Sequence, residues 1–222
     1  SAASDVYKRQ EKEFEEIKKV FKSYRKKYDD LNVNVEYNTE VWASGLYFNL
    51  YPFQAELSIS KRGRLYKRIP QNCRNKIRYL FLDNKIIKVE CYDGFGEISL
   101  EYYIKYDNIE VIVLGFCNKV LDRCYIIKYD DNNIPINTIR CNKKPHEEMT
   151  SSLLYEYSKD HVHRVVEKGF IIHDNGTPAI IDVKYAFSYD ELNELMEITG
   201  EIFNHKTGCI VKENVYKKND NM

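Results

Sequence analysis

Between Lys61 and Arg78 the chain reads KRGRLYKRIPQNCRNKIR, and it contains no acidic residue there. Lys61, Arg62, Arg64, Lys67, Arg68, Arg74, Lys76 and Arg78 place eight positive charges in eighteen positions. The chain as a whole balances 34 basic against 34 acidic residues, so the remainder carries the compensating negative charge. Guanidinium and ammonium groups pair with phosphates, and the interleaved Tyr66 and Tyr79 offer faces on which bases stack. The segment therefore reads as an anion or nucleic-acid contact. The competing reading is a solvated loop with edge strands that Lys and Arg guard against aggregation.

Other chemistry-bearing groups are sparser. In DHVH, His161 and His163 lie two apart and share one face of a strand, and Asp190 on a returning strand is a third candidate ligand. A zinc site needs more ligands than that set supplies, so solvated histidines are expected and no metal or cofactor is assigned. The six cysteines (Cys73, Cys91, Cys117, Cys124, Cys141 and Cys209) form no C-x-x-C pair. Most sit in apolar runs such as VLGFCN, where a reduced thiol behaves as a small hydrophobe; that pattern inclines to a reducing, cytoplasmic-type compartment. Carboxylates such as Glu197 with Glu201, or Glu147 with Glu148, cover every polar face, and nothing singles out a pair for proton transfer. No nucleophile elbow, phosphate loop or dinucleotide fingerprint occurs. The expectation is a protein without catalytic activity.

The elements that must position these groups are legible from periodicity. Phe14, Ile17, Phe21, Tyr24, Tyr28 and Leu31 alternate at spacings of three and four, which predicts one amphipathic helix over 11–31 lying on a sheet. Beyond it the period is two. FQAELSIS (53–60), AIIDVKYAFS (179–188) and the run Met196, Ile198, Ile202 each read as a strand with one wet face, the pattern of antiparallel sheets. Trp42 is expected in the core. The longest apolar run, VIVLGFC, is a strand by length and not a membrane span. Asp-, Asn- and Gly-containing turns recur every ten to sixteen residues from position 83 onward. The predicted fold is mainly β with an N-terminal α-helix: ten or eleven strands in a long antiparallel β-meander, curved or partly closed into a barrel, with the helix packed on one face. The expected organisation is a tail at 1–10, the helix at 11–31, the meander at 32–216 and a polar tail at 217–222.

Three turns share a written outline, Tyr-Asp-x-x-(Gly/Asn)-x-(Ile/Leu). YDGFGEI contains Tyr92, Asp93 and Gly96; YDDNNIPI contains Tyr129, Asp130 and Asn133; YDELNEL contains Tyr189, Asp190 and Asn193. The second delays its Ile by one place. The pattern resembles the YD repeats of Rhs-type β-shell proteins over roughly 77–216. That resemblance implies a structural sheet enclosing or contacting a toxin-like payload, with motif residues that build turns and catalyse nothing. Asn often replaces Gly and the longer family signature is absent. Separately, SAASDVYKRQ at 1–10 resembles a translated sequencing adapter, which implies a non-native stretch. Abundant Asn, Lys, Ile and Tyr suggest an AT-rich bacterial source.

The first functional expectation is a non-enzymatic protein-interaction or structural sheet, such as a toxin-system shell fragment or an immunity-like binder of another protein. The alternative is nucleic-acid or polyanion binding through 61–78. A third reading places a ligand pocket between the helix and the sheet.

Overall fold

The computed structural model describes residues 2–33, 35–58, 61–144, 146–174, 178–205 and 207–218. Its elements, in order, are α1 (Ala2–Tyr24), α2 (Tyr28–Val33), β1 (Thr39–Ala43), α3 (Gln54–Leu57), β2 (Ile77–Leu82), β3 (Lys85–Tyr92) and β4 (Ile98–Tyr106). There follow β5 (Glu110–Cys117), β6 (Val120–Tyr129), β7 (Pro135–Lys144), β8 (Glu147–Ser158), β9 (His161–His173), β10 (Pro178–Tyr189), β11 (Leu195–Phe203) and β12 (Ile210–Lys217). All twelve strands form one antiparallel sheet whose spatial order is the chain order. Strands β1 and β12 are its edges, so the sheet is an open meander.

Each face of the sheet carries a segment from the N-terminal quarter of the chain. On one face, Phe14, Ile17, Phe21 and Tyr24 of α1 pack on Leu114, Phe116, Cys124, Ile126, Ile139 and Cys141. Phe14 meets Phe170 edge to face at 5.3 Å. The helix is not one element over 11–31, as the spacing predicts. It breaks after Tyr24, where Lys27 N–H bonds back to the Tyr24 carbonyl at 3.1 Å, and α2 starts afresh. The break lets the Tyr28 ring drop onto Phe116 and Tyr103, at 5.4 and 6.2 Å. The backbone of residues 2–10 continues α1, so the expected separate tail joins the helix. The expected C-terminal tail begins later: Lys217 still belongs to β12, and 219–222 lie outside the described residues.

On the opposite face, residues 44–58 run across the sheet. Tyr47, Phe48 and Tyr51 cover β2–β6, while Phe53 and Leu57 reach the cluster of Leu153, Val165, Phe187 and Ile198. This corrects the strand expected at 53–60. Phe53 has φ +60°, and Gln54–Leu57 is one helical turn held at its entry by the Gln54 side chain, which accepts the Leu50 N–H at 2.7 Å. Four alternating apolar residues satisfy a strand pattern by chance when both sides of a short turn are enclosed. Ile59 and Ser60 lie outside the described residues.

A buried ionic cluster fastens each covering segment. The Arg140 guanidinium bonds Ser151 Oγ at 2.9 Å, Tyr51 Oη at 2.8 Å and the Glu167 carboxylate, which also accepts from Tyr185 Oη at 3.0 Å. On the other face Lys88 Nζ lies between Glu101 and Glu90, at 2.7 and 3.0 Å, and donates to Asn32 Oδ1 at 3.0 Å. Tyr28 donates to the same Glu101. Burial opposes the charge on Lys88, but the two carboxylates outweigh it and raise its pKa.

The three Tyr-Asp turns have one geometry. Tyr92, Tyr129 and Tyr189 pair with Ile98, Pro135 and Leu195, six residues on, each next to a register shift. The Asp93, Asp130 and Asp190 carboxylates accept the N–H groups two and four residues ahead, at 2.8–3.0 Å. Gly96, Asn133 and Asn193 adopt φ of +88°, +60° and +62°, the left-handed region that Gly and Asn tolerate best.

Candidate anion interface

Residues 61–76 connect the segment on the sheet face to β2, and part of the connection runs along the outer edge of β1. Ala43 bridges Leu65, Ser44 N–H bonds the Arg64 carbonyl at 3.0 Å, and Tyr66 N–H bonds the Trp42 carbonyl at 2.9 Å. Gly63 makes that docking possible. A Cβ there would stand 2.5 Å from the Gly45 backbone, closer than any side chain permits. The far end of the connection is tied to the first Tyr-Asp turn, through Asn75 N–H to the Asp93 carbonyl at 2.9 Å.

The eight basic residues divide into two groups. Arg62 bonds the Glu56 carboxylate and the Tyr47 carbonyl, the latter at 2.7 Å. Arg78 bonds Glu40 and Glu90 and lies over the rings of Tyr37 and Trp42. Lys76 donates to Asn72 at 2.8 and 2.9 Å and stands over the Tyr66 ring at 5.7 Å. These three cations hold the connection together.

The other five face solvent. Lys61, Arg64, Lys67, Arg68 and Arg74 are exposed, and among the described residues their side chains make no hydrogen bond or ion pair. Tyr66 and Ile69 are exposed beside them. Tyr79, by contrast, is fully buried, and its hydroxyl oxygen accepts the Tyr47 N–H at 2.9 Å. It offers no stacking surface.

The sequence matches no protein-family model and no curated protein. Among solved structures the chain is similar to a protein of unknown function from Bacteroides fragilis, with 12% identity and a TM-score of 0.24. That match covers 61% of this chain and 85% of the other.

The remaining candidates are dispersed. The His161 ring lies 5.0 Å from Tyr189, and His163 faces Glu156 at 3.9 Å. Among the described residues no group of three or more His, Cys, Asp or Glu side chains is arranged to hold a metal ion. The cysteines are all free thiols; burial pushes Cys91 up to about 11, and Cys141 likewise to about 11. Glu147 and Glu148 face different partners, and Trp42 is buried as expected. No helix among the described residues is long and apolar enough to cross a membrane.

What the sequence could not separate was structural from free cations. The partners of Arg78 come from 38 residues before it and 12 after, and that pairing exists only once the sheet has formed.

Proposed function

We propose that the protein is a non-enzymatic binding protein that takes hold of a polyanion, with single-stranded nucleic acid as its partner class, along residues 61–74. The observation that carries this reading is the set of five exposed cations without side-chain partners, gathered on one docked connection with Tyr66 among them. Here the backbone is held in place by Gly63, Ser44 and Asn75, so the cations are presented on a fixed support.

Fluorescence anisotropy of a labelled oligouridine, titrated across salt concentrations, tests the reading. Each phosphate neutralised contributes about −0.7 to the slope of log K against log salt for a single strand. Replacing Arg64, Lys67, Arg68 and Arg74 by Gln should remove most of the slope. Binding that keeps its slope in this variant would move the site elsewhere on the molecule.

A second reading, a structural or immunity-like sheet that binds another protein, is favoured by the shared geometry of the three Tyr-Asp turns and by Phe95 and Leu192 at their tips. Both residues are more than 80% exposed. It predicts a stoichiometric protein complex that Phe95→Ser and Leu192→Ser weaken and that the Gln variant leaves intact.

A further inference from the structure

Phe95 stands at the tip of the first Tyr-Asp turn and is 87% exposed. The shared geometry of the three turns makes their tips directly comparable. The N–H that bonds the aspartate at 2.9 Å belongs to Phe95 in the first, Asn132 in the second and Leu192 in the third. That bond is made by the backbone, so the turn requires no particular side chain at its tip. An aromatic ring occupies the position in one turn of the three.

The same turn seats the far end of the basic connection. Asn75 N–H bonds the Asp93 carbonyl and Tyr92 N–H bonds the Lys76 carbonyl, both at 2.9 Å. A Cβ built on Gly96 would lie 3.6 Å from Arg74 Cγ, so the stem of Arg74 runs beside the residue that follows Phe95. Lys76 in turn bonds Asn72 and stands over the Tyr66 ring, which is 39% exposed. Residues 72–76 thus join two exposed rings, Tyr66 and Phe95, to one support that also carries Arg74. The turn YDGFGEI itself contains two carboxylates, Asp93 and Glu97, and no cation. Its charge repels a phosphate, and what it offers a nucleotide is the face of the Phe95 ring.

We infer that Phe95 is a base-stacking platform of the site at 61–74, and that the ligand is therefore a strand with unpaired bases. Phosphates pair with the free cations of the connection, and a base lies on the Phe95 ring. This rests on the polyanion reading of residues 61–74 and adds a requirement for bases that charge alone does not impose. Proteins that hold single strands combine a basic track with aromatic faces, and every base has a π-face to give. A duplex keeps its bases stacked inside and presents none to this ring.

Fluorescence anisotropy with a labelled oligouridine and an abasic strand of equal length and charge separates base from phosphate. At one salt concentration the oligouridine should bind about tenfold more tightly than the abasic strand. Phe95→Ser should remove most of that difference and leave abasic binding and the salt slope as in wild type. Leu192→Ser should change neither. Phe95→Trp should keep the tight binding, and its added indole emission should be quenched by the oligouridine and not by the abasic strand. Both Phe95 variants should melt with the wild type, because the ring lies outside the core. Equal binding of the two strands by the wild type with a steep salt slope, or an equal loss from Phe95→Ser and Leu192→Ser, overturns the inference and leaves the polyanion reading standing. Absence of salt-dependent binding to either strand overturns both.

Discussion

The Arg140 guanidinium donates to the Tyr51 hydroxyl at 2.8 Å, joining residues 89 positions apart. The same guanidinium neutralises Glu167, which is 3% exposed. Arg140→Ala should therefore cost about 3–5 kcal/mol, because it strands a buried carboxylate. Replacing the pair together, Arg140→Met with Glu167→Leu, should recover most of that loss. Urea unfolding midpoints check both, and a single variant as stable as wild type would contradict the assignment.

Lys88 has the same role on the other face. Lys88→Met leaves Glu90 and Glu101 facing one another without their shared cation and removes a contact to Asn32. The expected outcome is a loss of about 3–5 kcal/mol, together with faster hydrogen exchange in α2. Unchanged protection of α2 would mean that its apolar contacts alone hold it.

Gly63→Ala tests the support beneath the free cations. The added methyl group cannot fit against Gly45, so the connection must lift from the β1 edge. A cost of about 1–3 kcal/mol is expected, as in other overpacked sites. Amide exchange at Ser44 and Tyr66 should speed up, and the salt slope of oligonucleotide binding should become shallower.

The Tyr-Asp turns allow an additive test. Asp93→Ala, Asp130→Ala and Asp190→Ala each remove one carboxylate that caps two backbone N–H groups, and each should lower the melting temperature by a similar, modest amount. The turns are distant in the sheet, so the triple variant should lose close to the sum. Asn193→Gly should be tolerated, whereas Asn193→Ala should cost about 1–2 kcal/mol for its left-handed backbone. Thermal unfolding of the set resolves these differences.

Two aspartates should titrate on opposite sides of the ordinary value. Backbone N–H bonds from Glu97, Phe95 and Gly96 lower Asp93, so its stabilising contribution is present above the unfolded pKa and is lost as pH falls through the lower folded value. Burial raises Asp122, so there the folded state binds the proton more tightly. Stability should decline as pH rises from the unfolded value through the folded one. Carboxyl-detected NMR titration reads both directly. Asp122→Asn should abolish the second effect and leave the first.

Part of the architecture was legible because β10 keeps one wet face and so writes its burial into alternate residues. Val183, Tyr185 and Phe187 lie on one face as their spacing implies, and the Asp-Asn-Gly turns mark the hairpins between them. The misreadings have different causes. Residues 53–57 are enclosed and lose the contrast between wet and dry positions, whereas the break after Tyr24 falls in the exposed run 25–27 and depends on where the Tyr28 ring packs. The candidate interface was half visible. Charge density located residues 61–78, but the division into three bound and five free cations depends for Arg78 on Glu40 and Glu90, whose proximity only the folded sheet creates, and for Arg62 and Lys76 on local folding against Glu56 and Asn72.

The strand order carries a consequence for synthesis. Every strand pairs with its immediate successor, so each hairpin can close soon after it leaves the ribosome. The covering segments cannot. Phe14 waits for Phe170, and Phe53 waits for Phe187 at a ring distance of 4.8 Å. These two rings are thus shielded only once β9 and β10 have been made, long after Phe14 and Phe53 themselves. Chaperone capture of a growing chain should centre on them and spare Phe48, which meets Tyr79 and Phe81 nearby in the chain.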